Sequence, residues 1–116
     1  MELRVRDVDP AGVVLTPVGE LDMSTVGELE TALTAALARP GLRECLVDLA
    51  EVGFLDSTGL RVLIDGLTLA GERGVVLRVA NPRPAVERVL RITSIGPLLG
   101  LPDATTPPPP GSRQLG

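Results

Sequence analysis

The stretch Val47-Asp48-Leu49, running on through Phe54-Leu55-Asp56-Ser57-Thr58-Gly59-Leu60, decides how the chain is read. Cys45 to Leu49 is mostly continuous apolar sequence, which suits a central strand packed on both sides. Ala50 to Leu55 continues it toward a polar loop at Asp56-Ser57-Thr58-Gly59. Leu60, Leu63, Ile64 and Leu67 then recur at helical spacing and predict one buried stripe. A buried strand feeding an amphipathic helix through a short loop is half of a parallel crossover.

Working outward from this unit completes the pattern. Toward the C-terminus, Gly71 to Gly74 turns the chain into a second buried strand, Val75 to Val79. Asn81-Pro82-Arg83-Pro84 then sets Pro84 at the first turn of a third helix, with Val86, Val89, Leu90 and Thr93 on one side. Leu98-Leu99-Gly100-Leu101 is read as a short last strand, and Pro107 to Pro110 with Gly111-Ser112 as a disordered, extended tail. Toward the N-terminus, Leu3 to Val8 alternates with the period of a half-buried strand. Asp9-Pro10-Ala11-Gly12 is turn chemistry, and Val13 to Val18 completes a hairpin. Pro17 favours an edge position or a strand end. A helix is expected from Ser24 or Thr25, with Thr25 and Glu28 as a capping box. Val26, Leu29, Leu33, Ala36 and Leu37 form its buried face, and Pro40-Gly41 stops it.

The order β-β-α-β-α-β-α predicts an α/β fold, with a small mixed β-sheet and helices mainly on one face, because right-handed crossovers place successive helices on the same side. Length fits one domain over residues 1–101 followed by a Pro-rich tail over 102–116.

Composition narrows the chemistry. Among 116 residues there is no His, Trp, Tyr or Lys, a single aromatic residue (Phe54) and a single cysteine (Cys45). A histidine base, a Ser-His-Asp triad, a Schiff-base lysine and a His/Cys zinc cage are all excluded. Cys45 cannot form an internal disulfide, and in its apolar run it reads as a small core residue. The formal charge of −4 argues against nucleic acid and against an anionic membrane surface. The charged start, MELRVRD, lacks a signal peptide's apolar segment, and no stretch approaches the roughly 20 apolar residues needed to insert into a bilayer. A cytoplasmic binding or signalling module without a cofactor is expected, rather than an enzyme.

Ser57 is the most informative residue. It lies between strand and helix, where backbone N–H groups point outward unpaired. One reading is an N-cap, its oxygen accepting from the first turn. The other is a modified hydroxyl: a phosphate there meets the positive end of the helix dipole and adds roughly −1.5 to −2 charge beside Asp56. The second candidate is Gly19-Glu20-Leu21-Asp22-Met23-Ser24-Thr25, two acids and two hydroxyls at the entrance to the first helix. Taken singly, Asp22, Ser24 and Thr25 are turn formers and caps. If their strand runs beside that of Cys45, the two loops share one end of the sheet. Asp48 reads as a structural acid at the sheet margin, and Arg83, Arg88 and Arg91 as a solvated helix face. Paired acids could also hold magnesium or cleave a glycoside, but two acids on separate loops and one aromatic residue support neither metal nor catalytic residue.

The same residues resemble the STAS domains, and within them the bacterial anti-sigma factor antagonists. Val47-Asp48-Leu49 leading to Phe54-Leu55-Asp56-Ser57-Thr58-Gly59-Leu60 is similar to that family's signature. Gly19-Glu20-Leu21-Asp22 is similar to its other marked segment, and Pro84-Ala85-Val86 agrees in position. The resemblance covers about residues 3–101 and implies a non-enzymatic phospho-switch. Ser57 would be the serine phosphorylated by a partner, an anti-sigma factor serine kinase. Asp22 and Asp56 match acids near that site, and Ser24, Thr25, Thr58 and Gly59 fall in the partner-binding loops. The unmodified protein would bind the kinase and free its sigma factor; phosphorylation would end binding and a serine phosphatase would restore it. Two departures are evident: the family's last strand and fourth helix give way to the Pro-rich tail. The same fold also serves as a regulatory subunit of membrane transporters and lipid-trafficking complexes, which is the alternative reading.

Overall fold

The structure, a computed structural model, describes residues 2–93 and 96–100. Strands β1 (Glu2–Asp9) and β2 (Gly12–Leu21) form the expected antiparallel hairpin, but β1 is not half-buried as its alternation predicts: it is an edge strand with no layer over it, and Val5 and Val8 are exposed. Its turn is held by Asp9, whose carboxylate accepts from the Ala11 N–H at 2.7 Å. Helix α1 (Val26–Leu37) follows, then β3 (Glu44–Asp48), β4 (Val52–Leu55), α2 (Ser57–Glu72), β5 (Val76–Ala80), α3 (Pro84–Ile92) and a 3₁₀ turn at Gly96–Leu99. The sheet runs β1-β2-β3-β5, with β4 also beside β2.

The separate strand β4 departs from the sequence reading, which carried β3 straight through. The Ala50 N–H bonds back to the Asp48 carboxylate, and the Val52 N–H to the Leu49 carbonyl, so a turn interrupts the run. The long strand β2 therefore has two parallel neighbours on one side. Gly12–Leu15 pairs with β3, and Gly19–Leu21 pairs with β4. Pro17 lies between these ladders, so its missing N–H costs neither of them, which is how it occurs in a central strand. Gly19, at φ +112°, supplies the irregularity where the second ladder begins.

Registers align the core. Val13 pairs with Cys45 and Cys45 with Leu77; Leu15 pairs with Val47 and Val47 with Val79. All six are buried, whereas Val76 and Arg78 on the alternate positions of β5 are exposed. Helices α1 and α2 pack against each other and over β2 and β5, and α3 packs on β4. The mixed sheet with one mainly covered face is thus as expected.

The helices refine the predicted faces. In α1 the buried residues are the five anticipated: Val26, Leu29, Leu33, Ala36 and Leu37. In α2 they are Gly59, Val62, Leu63, Gly66 and Ala70, while Leu60, Ile64 and Leu67 only border the core. The stripe is rotated because the helix packs close. A Cβ on Gly66 would stand 3.3 Å from both Leu33 Cδ1 and Leu77 Cδ2. In α3, Pro84 opens the helix as predicted, Val86 and Leu90 are buried, and Thr93 is exposed with its hydroxyl donating to the Val89 carbonyl.

Gly96–Leu99 is a 3₁₀ turn and not the strand expected from Leu98 onward. Leu99 is instead buried where the turn packs against β5 and α3, and Gly100 at φ +87° lies outside the extended region that a strand needs. Leu101 and the tail over 102–116 lie outside the described residues. Arg83 is not plain solvation: its Nε donates to the Ala50 carbonyl at 2.8 Å and pins the β3–β4 turn. Asp48 is a structural acid, accepting from the Ala50 N–H and the Asn81 side-chain amide.

Candidate functional site

Two helix entrances meet at the end of β2 and β4. Leu21 pairs with Leu55, and the Asp56 N–H donates to the Leu21 carbonyl at 3.1 Å. The loops carrying Asp22 and Ser57 are therefore neighbours. The sequence reading expected this juxtaposition through β3; the structure makes it through β4.

The first loop is closed on itself. Asp22 Oδ1 accepts from the Ser24 N–H at 2.9 Å and from the Ser24 hydroxyl at 2.7 Å. These bonds, the hydroxyl first, hold the Asp22 carboxyl below its ordinary range. Thr25 caps no helical N–H with its side chain, so its half of the expected capping box is absent. Its hydroxyl donates instead to the Glu20 carbonyl at 2.5 Å and accepts from the Asp22 N–H at 3.1 Å. The helix is entered through the Asp22 turn, whose carbonyl accepts from the N–H groups of Thr25 and Val26.

The second loop corrects another expectation. The N-cap of α2 is Asp56, not Ser57. With φ −100° and ψ −174°, Asp56 is extended, and its Oδ1 accepts from the Thr58 and Gly59 N–H groups at 2.9 and 3.0 Å. A carboxylate one residue earlier does the capping better placed than the serine could, and the N-terminal dipole favours its charge. Ser57 is left as the first helical residue. Its hydroxyl is exposed and makes no hydrogen bond among the described residues.

Of the candidate hydroxyls, Ser24 and Thr25 are thus committed to bonds within their loop, Thr58 is half-buried, and Ser57 is outward and unengaged. Gly59 lies buried beneath, where a Cβ would sit 2.7 Å from the Leu21 carbonyl oxygen. Any part it has in binding acts through where it lets Ser57 sit. Asp22 and Asp56 are both half-buried at the rim. Among the described residues, no group of three or more His, Cys, Asp or Glu side chains could hold a metal ion.

Two residues were not singled out in the sequence. Met23 is 80% exposed and Phe54 48% exposed, one on each loop's approach. Phe54 pairs across from Glu20 in β4, where Val52 and Leu55 are buried and Gly53 and Phe54 are exposed. An isolated exposed apolar residue is ordinary, so the sequence carried no signal for either; the β2–β4 pairing puts their two segments side by side.

The family described as "Mlab, STAS domain" matches residues 5–100. The anti-sigma-B factor antagonist of Staphylococcus aureus (strain NCTC 8325 / PS 47) is 32% identical over 87 residues, spanning 75% of this chain and 80% of the relative. Among solved structures, an anti-sigma factor antagonist from Mycobacterium paratuberculosis superposes with a TM-score of 0.72 at 31% identity, covering 86% of this chain and 83% of that one. The antagonist SpoIIAA in its unphosphorylated form superposes with a TM-score of 0.72 over 90% of each chain; at 20% identity it bears on the fold alone. With its two loops, its sheet order and these matches taken together, the chain belongs to the STAS domain family.

Proposed function

We propose that this chain is an anti-sigma factor antagonist that works as a phospho-switch in a partner-switching pathway. Unmodified, it binds an anti-sigma factor with a serine-kinase fold and so releases a sigma factor. The kinase moves the γ-phosphoryl group of ATP to Ser57 Oγ, and the hydroxyl proton leaves to a base on the kinase. The phosphorylated chain no longer binds, and a serine phosphatase restores it by hydrolysis. The chain supplies no catalytic residue and acts in the cytoplasm.

The observation that carries this reading is the state of the Ser57 hydroxyl. It stands exposed and unbonded at the start of α2 because Asp56 has taken over the capping. A substrate hydroxyl has to be presented in this way, whereas a structural one would be bonded. The kinship with named antagonists supports the same role. Asp22, Ser24, Thr25, Asp56, Thr58 and Gly59 shape the surface that the kinase meets, with Met23 and Phe54 as its apolar flank. A phosphate on Ser57 brings roughly −1.5 to −2 charge against Asp56 and Asp22 on a surface that must be desolvated to bind. Each 1.4 kcal/mol lost there is about tenfold in affinity.

The reading is tested by incubating the chain with its cognate kinase and ATP. One phosphate should be added, and Ser57→Ala should abolish it. Phosphate on another residue would overturn the assignment. Co-purification with a permease and no kinase-dependent mass shift would replace the reading with that of a transporter's regulatory subunit.

A further inference from the structure

Along α2 the residues Ser57, Arg61 and Asp65 follow one another four apart, and all three are exposed. Residues four apart on a helix are neighbours, with Cβ atoms about 5–6 Å from one another. Arg61 is paired with Asp65 at 3.6 Å, the longest ion-pair contact among the described residues, with the two side chains 77% and 57% exposed. That pair also has the weaker sequence order, since cation before anion at this spacing opposes the helix dipole. An anion at Ser57 followed by Arg61 has the stronger order.

Other charges near Ser57 do not compete for the role. Glu20, Asp22 and Asp56, on the segments joined at the Leu21–Leu55 pair, are all acidic. Arg83 is anchored by its Nε to the Ala50 carbonyl at the β3–β4 turn, the opposite end of β4 from Asp56. Arg4 and Arg39 are paired with Glu51 and Asp7. Arg61 is the cation that the helix itself places one turn from the hydroxyl.

We propose that Arg61 is the built-in counter-charge of a phosphate on Ser57: on phosphorylation its guanidinium leaves Asp65 and pairs with the phosphate oxygens. The inference rests on the phospho-switch reading and deepens it, because it assigns the residue that accommodates the modified state within this chain. Guanidinium suits the task, offering paired N–H donors to a tetrahedral oxyanion. The exchange also turns Asp65 loose, so the exposed stripe of α2 changes its charge pattern beyond the modified residue.

The test does not need the kinase. Phosphoserine is installed genetically at position 57 of the full chain, and the second ionisation of the phosphate is followed by phosphorus NMR at low salt. Its midpoint, ordinarily about 6, should lie about 0.2–0.4 pH units lower in the unsubstituted protein than in Arg61→Gln. Arg61→Lys should recover part of the difference. Asp65→Asn should lower the midpoint further, and this effect should vanish when combined with Arg61→Gln. Arg73→Gln, about 24 Å along the same helix at 1.5 Å per residue, should change nothing. Equal midpoints with and without Arg61, or an equal rise in Arg73→Gln, would overturn the pairing. Either outcome leaves the kinase assay on Ser57 untouched, so the two ideas fail separately.

Discussion

Gly59 and Leu55 approach so closely that a Cβ on Gly59 would stand 2.6 Å from Leu55 Cδ1. The same atom would be 2.7 Å from the Leu21 carbonyl oxygen, which already accepts from the Asp56 N–H. One bare position thus seats the first turn of α2 on the β2–β4 pair and sets where Ser57 emerges.

Gly59→Ala should therefore destabilise the fold despite alanine's better helix propensity. Overpacking costs about 1–3 kcal/mol against a propensity gain of about 1 kcal/mol, and the carbonyl contact cannot swing aside as a side chain could. A net loss of up to about 2 kcal/mol is expected in urea denaturation, toward the upper end because the contact is with backbone. Gly71, near the end of the same helix, has nothing within 4 Å of its would-be Cβ. Gly71→Ala should instead stabilise by about 0.5–1 kcal/mol. Equal effects at the two glycines would contradict the packing account.

The capping assignment predicts a contrast between neighbours. Asp56→Ala removes the acceptor for the Thr58 and Gly59 N–H groups and should cost about 1 kcal/mol. Asp56→Asn should retain most of that, since asparagine caps nearly as well. Ser57→Ala should stay within about 0.5 kcal/mol of the unsubstituted protein, because its hydroxyl takes no part in the cap. A larger loss at Ser57 than at Asp56 would restore the serine as the cap.

These contrasts mark how much of the molecule could be read from residues. The hairpin, the buried face of α1 and the proline start of α3 were legible, because alternation, helical spacing and φ-restricted residues act locally. The β3–β4 break was not, since it depends on a two-residue turn and on Arg83 reaching back from 33 residues away. The α2 stripe was legible in part: Leu63 is buried as expected, but the face turns toward Val62 and includes Gly59, Gly66 and Ala70, small positions that close packing needs and hydropathy does not flag. At the site, Ser57, Asp22 and Asp56 stood out by type and position. Which of them caps, and which hydroxyl stays free, was decided by geometry over a single residue step.

Asp22 predicts a pH dependence with a definite sign. Its folded carboxyl is held below the ordinary 3.8 by the Ser24 hydroxyl and N–H. A depressed carboxylate contributes stability above its unfolded value, and that contribution is lost as pH falls through the folded value. The stability gap between the unsubstituted protein and Asp22→Asn should be present at neutral pH and should close on acidification below about pH 4. Ser24→Ala should raise the Asp22 midpoint in a carbon NMR titration. An unchanged midpoint would show that the hydroxyl bond does not form in solution.

Cys45 makes the opposite case. Burial pushes its thiol up to about 11 from the ordinary 9.0. A thiol kept neutral contributes stability below its unfolded value, lost as pH rises through the folded one, so alkaline unfolding should ease between about 9 and 11. At pH 8 the native protein should resist a thiol reagent and react only on unfolding. Rapid labelling of the native state would contradict its place in the sheet core.

The central claim is that one unengaged hydroxyl controls binding to an anti-sigma factor kinase. The most direct measurement is the affinity of that kinase for the chain with Ser57 unmodified and with phosphoserine at the same position, compared side by side by calorimetry. The account predicts that phosphorylation weakens binding at least tenfold, with Ser57→Ala binding like the unmodified chain. Equal affinities for the phosphorylated and unmodified chains would contradict it.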